Sequence, residues 1–292
     1  MPHKHDHFPE TTERIRAAFF LNLAFTILEL FGGWWANSVA ILSDAVHDLG
    51  DSLSLGLAWY LNNVSRREKD ARFSYGYHRF SLLGALLNAG ILIGGAIFIL
   101  SKAVPRLLNP ESVQAPRMIL FAVIGALVNG AAALKLRDSK NLNARVVSWH
   151  LMEDMLGWIA VLIVSLILLF VDLPILDPIL SILITAFVTF NVLKNLRETI
   201  GVFLQSVPGE IDVREIDREL QSIPGVVSTH HTHVWSLDGE NHVLTTHINL
   251  GPSASREKAS QVKEDVKSIL EPHDFFHLTV EIEFGEEDCA MC

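Results

Sequence analysis

Cysteine is almost missing from the chain: Cys289 and Cys292 are the only two in 292 residues. A disulfide framework is excluded, and the CxxC spacing favours a metal half-site or a redox pair over a structural staple. Basic residues are absent from long stretches, for residues 17–65, 80–101, 118–134 and 146–193 contain no Lys or Arg. With 50% hydrophobic residues and a mean hydropathy of +0.32, such stretches exclude an ordinary soluble protein, whose surface needs charge. Positive charge is also short overall. The net charge is −10 and no basic stripe stands out, which excludes nucleic acid as a partner. A small-residue cleavage site is lacking after the first apolar run, which is too long for a signal h-region, so that run is expected to stay as a helix.

A bilayer-crossing helix needs roughly 20 apolar residues, so the first and last of these blocks are long enough for two spans each. Six transmembrane helices are predicted, over 16–36, 39–63, 80–104, 117–136, 144–171 and 176–197. From about residue 205 charges recur every few positions. The expected organisation is a His-rich cytosolic arm over 1–15, a six-helix transmembrane domain over 16–204 and a soluble domain over 205–292.

Loop charge sets the expected orientation. Arg66, Arg67, Lys69 and Arg72 lie between helices two and three, Lys135, Arg137, Lys140 and Arg145 between four and five, and Lys194 and Arg197 end helix six. Segments 32–38 and 171–177 carry no Lys or Arg, so both termini are expected in the cytosol. Lys102, Arg106 and Arg117 on the opposite side weaken this bias without reversing it. The tail reads as helix 213–222, strand 226–236, strand 242–250, helix 255–270 and strand 278–284. Pro224-Gly225 and Asp238-Gly239 punctuate it. That order predicts a small α+β sheet with both helices on one face, leaving an edge and a face where a twin domain can dock.

Acids lie where lipid should be. Helix two carries Asp44, His47, Asp48 and Asp51 at i, i+3, i+4 and i+7, one stripe. Helix five carries His150, Glu153 and Asp154. An ionised group at bilayer depth costs roughly 2.5–3.5 kcal/mol on insertion scales. A basic neighbour would relieve that, yet the predicted span cores have essentially none. Neutralisation must come from solution, as protons or a metal cation. Two HxxxD pairs, His47/Asp51 and His150/Asp154, supply two nitrogens and two oxygens if the helices face each other. Four-coordinate His and Asp at about 2.0–2.2 Å suits Zn2+, whereas Ca2+ or Mg2+ wants more oxygens. Imidazole also admits Co2+, Ni2+ or Cd2+. Metal binding needs neutral imidazoles and ionised carboxylates, so protons compete with the ion, which points to zinc/proton antiport by alternating access.

These residues resemble the cation diffusion facilitator family, in its zinc-transporter branch. The resemblance rests on SDAVHDLGDS in helix two, FSYGYHR before helix three, HLMED in helix five, and HVWSL with TTHINL in the tail, and runs nearly the whole length. It implies transport-site ligands His47, Asp51, His150 and Asp154, a homodimer, and a cytosolic ferredoxin-like domain. Members with other metal preferences tend to have an acid or Asn in the place of His47, so its histidine favours zinc. The resemblance further implies a cytosolic metal site of His230, His247 and Glu283, close enough for Cys289 and Cys292 to fold back onto, and a loop metal at His78. Phe73 and Tyr77 stand where some bacterial relatives have extra histidines, and His78 also reads as a plain interfacial residue beside Arg79. His3, His5 and His7 resemble a capture arm that can reach a partner's cytosolic site, although short terminal His runs are commonly disordered. Strand alternation puts His231 and His233 on the face opposite His230 unless a bulge intervenes. A bacterial inner membrane is the expected location.

Rival classes fit less. A metalloprotease wants HExxH, and HLMED has the wrong order, so no enzyme is expected. A sodium/proton exchanger gains little from two opposed imidazoles, and a zinc receptor that transports nothing leaves the intramembrane stripes unexplained. Trp34 and Trp35 read as interfacial anchors. Gly94, Gly95 and Gly125 are expected to allow close helix packing. Asn22, Glu29, Asn88 and Asn129 read as buried polar groups lining a cavity or bridging helices. Replacing Cys289 and Cys292 by Ser should lower zinc stoichiometry or affinity in titrations of the purified protein while basal vesicle transport persists; loss of that transport in a folded protein would contradict a regulatory or capture role.

Overall fold

The computed structural model describes residues 8–65, 67–137 and 142–285. The blocks without Lys or Arg form six long helices, α1 (Phe8–Ala36), α2 (Val39–Ser65), α3 (Phe80–Leu108), α4 (Ala115–Arg137), α5 (Leu142–Phe170) and α6 (Leu176–Phe203). Five of them are long and apolar enough to cross a membrane. The exception is α2, because Asp44, Asp48 and Asp51 interrupt its apolar run. Helix ends differ from expectation by a few residues. The largest differences are α1, which starts eight residues before position 16, and α6, which runs six residues past 197. Pro105 does not stop α3, for it sits in the last turn, where its carbonyl still accepts from Asn109 N at 2.9 Å.

Glycines let the bundle close at specific points. A Cβ on Gly125 of α4 would lie 2.2 Å from the indole of Trp158, and one on Gly95 of α3 would lie 2.3 Å from Val46. Gly94 faces open space, so the expected packing role belongs to its neighbour. Trp158 joins Ile41, Met118 and Phe121 in a buried cluster linking α2, α4 and α5.

One end of α2 is fastened by a residue from another helix. Asp177, fully buried at the start of α6, accepts from Ser38 Oγ at 2.5 Å, Val39 N at 2.8 Å and Ala40 N at 3.3 Å. The first amides of a helix have no intrahelical partner, and a bundle interior offers little water to replace one. Ser181 Oγ donates to Val39 O at 3.2 Å, and Ser43 and Thr185 share a 2.8 Å hydroxyl contact, continuing the α2–α6 seam. The charges at the loop between α3 and α4 are engaged locally. Arg106 donates to Asn37 O and Oδ1 at 2.9 and 2.6 Å and pairs with Glu111 at 2.7 Å. Arg117 donates to Trp35 O at 2.8 Å and lies 4.6 Å over its ring.

Two compact units are present, residues 1–62 with 84–196, and residues 63–83 with 197–292. In the second, α7 (Val213–Gln221), β1 (Ser228–Ser236), β2 (His242–Asn249), α8 (Arg256–Leu270) and β3 (His277–Glu283) follow the expected order. The sheet runs β1-β2-β3, antiparallel then parallel. Ile216 and Leu220 of α7 and Val262, Val266 and Leu270 of α8 pack with Val234, Leu244 and Ile248, so both helices cover one face. The whole is a helical membrane domain with a small C-terminal α+β domain.

Removing the Asp177 cap leaves buried donors unpaired, so Asp177→Ala should destabilise the protein by about 1–3 kcal/mol. Asp172→Ala, on an exposed side chain nearby, should be near neutral. Thermal unfolding in detergent checks the pair, and equal melting temperatures would show the cap to be dispensable.

Candidate metal sites

Helical spacing and helix pairing together build the intramembrane constellation. On α2, His47 and Asp51 lie one turn apart with His47 Nε2 3.8 Å from Asp51 Oδ2. On α5, His150 Nε2 is 3.8 Å from Asp154 Oδ2. The two helices meet through His150 Nε2 and Asp51 Oδ2 at 2.9 Å, and through His47 Nε2 and Asp154 Oδ1 at 3.9 Å. Ligand atoms of His47, Asp51 and His150 lie within 4.8 Å of one another, and the imidazole centroids are 5.8 Å apart. All four residues named from the HxxxD spacing are brought together.

They line a cavity of about 750 Å3 that also receives Asp44, Glu153, Asn88, Asn191 and Lys194. Among the described residues, the ion pairs of Asp51 and Asp154 are with histidines, not with Lys or Arg. Among the described residues Lys194 is the one Lys or Arg lining the cavity, and the expectation of a site without such a base is amended to that extent. Asp48 is buried but is not among the lining residues, so the acidic stripe divides between two environments. Glu29 is 0% exposed, and neither of its carboxylate oxygens meets a hydrogen-bond partner among the described residues; one oxygen of Asp44 and Nδ1 of His47 share that condition. The asparagines serve different ends. Asn22 donates to Asp48 O and Ser52 Oγ, each at 3.1 Å, joining α1 to α2, while Asn129 donates to Gly125 O at 3.2 Å within α4.

In the tail, register replaces helical spacing. His230 lies directly opposite His247, and His247 lies beside Glu281 in the parallel ladder, with Glu283 two residues on along the same face. His247 Nδ1 is 2.8 Å and His230 Nε2 3.2 Å from Glu283 Oε1, and His247 Nε2 is 3.4 Å from Glu281 Oε2. Glu283 and His247 are 6% and 8% exposed, deep for groups of this polarity. The bulge that alternation left open is present: pairing passes from His230↔His247 to His233↔Thr245, three residues spanning two, with His231 at φ 50. Without it His230 would point toward the helices. Glu281 carried no signal of its own in the sequence beyond its place on the last strand.

His78 is not gathered into a three-donor group among the described residues. Its Nδ1 lies 3.2 Å from Asp238 Oδ2, and its ring stacks edge-on 5.0 Å from Phe276. Tyr77 and Phe73 pack together at 4.5 Å, and Tyr77 OH donates to Asp70 Oδ2 at 2.7 Å. That hydroxyl, with the Phe73 and Arg72 amides, holds the Asp70 carboxyl below its ordinary range. Cys289, Cys292, His3, His5 and His7 lie outside the described residues.

A polytopic helical bundle with an imidazole–carboxylate site inside it defines the class, a membrane protein built to handle a cation. Residues 15–204 match the cation efflux transmembrane domain, and residues 208–284 match the cation efflux protein cytoplasmic domain. The chain is 31% identical over 287 residues to the zinc transporter ZitB of Yersinia pseudotuberculosis, covering 96% of this chain and 91% of that protein. It is 30% identical over 285 residues to the metal cation efflux system protein CzcD of Cupriavidus metallidurans, covering 97% and 90%. It is 28% identical over 296 residues to a cadmium, cobalt and zinc/H(+)-K(+) antiporter of Bacillus subtilis, covering 99% and 95%. The chain belongs to the cation efflux, or cation diffusion facilitator, family of integral membrane transporters.

Proposed function

We propose that this chain exports zinc from the cytosol in exchange for protons, binding the ion between α2 and α5 through His47, Asp51, His150 and Asp154. The observation that carries the reading is the convergence of two imidazoles and two carboxylates across those helices, in a cavity where histidines are their described ion-pair partners. Two nitrogen and two oxygen donors suit four-coordinate Zn2+. Binding requires neutral rings and ionised acids, so protons arriving from the more acidic side displace the metal there. Alternating access then couples the two flows. Relatives named for zinc transport and for a metal/proton antiport support the assignment.

Both termini lie in the cytosol in this reading. Ten Lys and Arg residues in the 66–72, 135–145 and 194–197 segments favour that side. The opposing Arg106 and Arg117 are held against loop backbone and an aromatic ring. The cytosolic domain carries a resident zinc at His230, His247 and Glu283, whose donors lie within 4.8 Å of one another, with Cys289 and Cys292 adding thiolates. Zinc there tightens a homodimer and favours a transport-competent arrangement, as any ligand preferring one state shifts the population toward it. A wider divalent range is the second reading, since the Bacillus subtilis relative is named for cadmium and cobalt as well as zinc.

Inverted vesicles carrying the parent protein should accumulate zinc, and Asp51→Ala or Asp154→Ala should abolish uptake at unchanged protein level. In proteoliposomes with an internal pH dye, zinc movement should drive an opposite proton movement. Zinc flux without a pH signal would reject the coupling, and a zinc-insensitive sodium flux would reject the substrate.

A further inference from the structure

We infer that His231 is a further protein ligand of the cytosolic zinc site, joining His230, His247 and Glu283 of the same chain. This deepens the reading of the tail as a zinc-binding domain and rests on it. The donors of that reading that lie among the described residues number three, whereas structural zinc sites are almost always four-coordinate.

Three distances carry the assignment. Ring centroids are 5.2 Å apart for His230 and His247, 5.3 Å for His230 and His231, and 5.3 Å for His231 and His247. The three imidazoles form a nearly equilateral triangle. An imidazole nitrogen bonded to zinc at about 2.0–2.1 Å puts its ring centroid about 3.2 Å from the ion, so rings at tetrahedral angles lie about 5.2 Å apart. The triangle already has that size. Glu283 reaches both His230 and His247 through one oxygen, Oε1, and supplies the anionic corner. The donor atoms of His231 lie outside that three-donor group, so binding the ion requires its ring to turn from its present contacts toward the common centre.

The backbone gives a second reason. His231 is the extra residue of the β1 bulge and holds φ 50, a region few non-glycine residues adopt and β-branched ones avoid. The next residue, Thr232, is anchored on the helix-facing side, its hydroxyl 2.6 Å from Asp217 Oδ1 and 2.9 Å from Thr246 Oγ1. With Thr232 held there and His230 opposite His247, the left-handed turn at 231 brings the intervening ring to the histidine face. Strain of this kind persists where the surroundings require it and clusters at ligand sites. His233, by contrast, is exposed and its ring is 6.1 Å from that of His231.

Cobalt, which reports coordination through its visible absorption, provides the test. Full-length protein in detergent carries Asp51→Ala and Asp154→Ala to silence the intramembrane site, then receives His231→Asn, which tolerates a left-handed backbone. Even partners of metal ligands cost about 10–100-fold in affinity, so His231→Asn should weaken Co2+ binding by about tenfold or more and diminish the tetrahedral absorption bands. His231→Gly, which also fits φ 50, should do the same, and circular dichroism of the metal-free proteins should be unchanged. His233→Asn should bind as the parent does. If His230→Asn loses cobalt while both His231 variants keep it, His231 is not a ligand and only this inference falls. If replacing His3, His5 and His7 causes the loss and replacing His231 does not, the fourth position belongs to the arm. If His230→Asn is itself silent, the tail-site reading fails and takes this inference with it.

Discussion

Carboxylates buried in a helix bundle with no Lys or Arg ion-pair partner among the described residues are the constraint around which the membrane domain is organised. Asp44, Asp48 and Glu29 are buried, and Asp51 and Asp154 meet only histidines among their described ion pairs. Carrying a charge out of water costs several kcal/mol unless it is paired or neutralised. Arg106 and Arg117, flanking the loop between α3 and α4, hold backbone carbonyls, Glu111 and a tryptophan ring. That division of labour leaves the acids available to a mobile cation. Lys194 lines the cavity near the C-terminal part of α6 without entering a described ion pair with them.

Keeping such a site usable demands that the helices bearing it be well placed. The seam from Asp177 through Ser181 to Thr185 binds the start of α2 to α6, and Asn22 ties the middle of α2 to α1. Each contact satisfies a polar group that lipid could not. Close approach of α4 to α5 needs the missing side chain at Gly125, and that of α3 to α2 needs the one at Gly95. Polar ties and small residues thus position α2 and α5 where apolar contact alone drives little association.

The tail reaches similar donor chemistry by another route. In the bundle, i, i+4 spacing puts an imidazole and a carboxylate on one helix face, and helix pairing joins the two faces. In the sheet, His230 meets His247 through cross-strand register and Glu283 through a parallel neighbour strand, and a bulge corrects the phase of β1. His78 stands apart from both groups. Its aromatic and acidic neighbours, Phe276 and Asp238, give it an ordinary hydrogen-bonded setting.

Charge placement and periodicity were readable from the amino acids alone. They marked the six long helices within a few residues at most ends, the α-β-β-α-β tail, and the pairing of His47/Asp51 with His150/Asp154, because hydrophobic runs and 3.6-residue spacing are local properties. What only the folded chain decided depends on contacts between distant residues: the Asp177 cap on α2, Lys194 at the cavity, Glu281 beside His247, and the split of the acidic stripe that leaves Asp48 off the cavity wall. The bulge at His231 belongs there too. Alternation along a strand is local, but inserting one residue is settled by what the partner strand and the covering helix hold in place on either side.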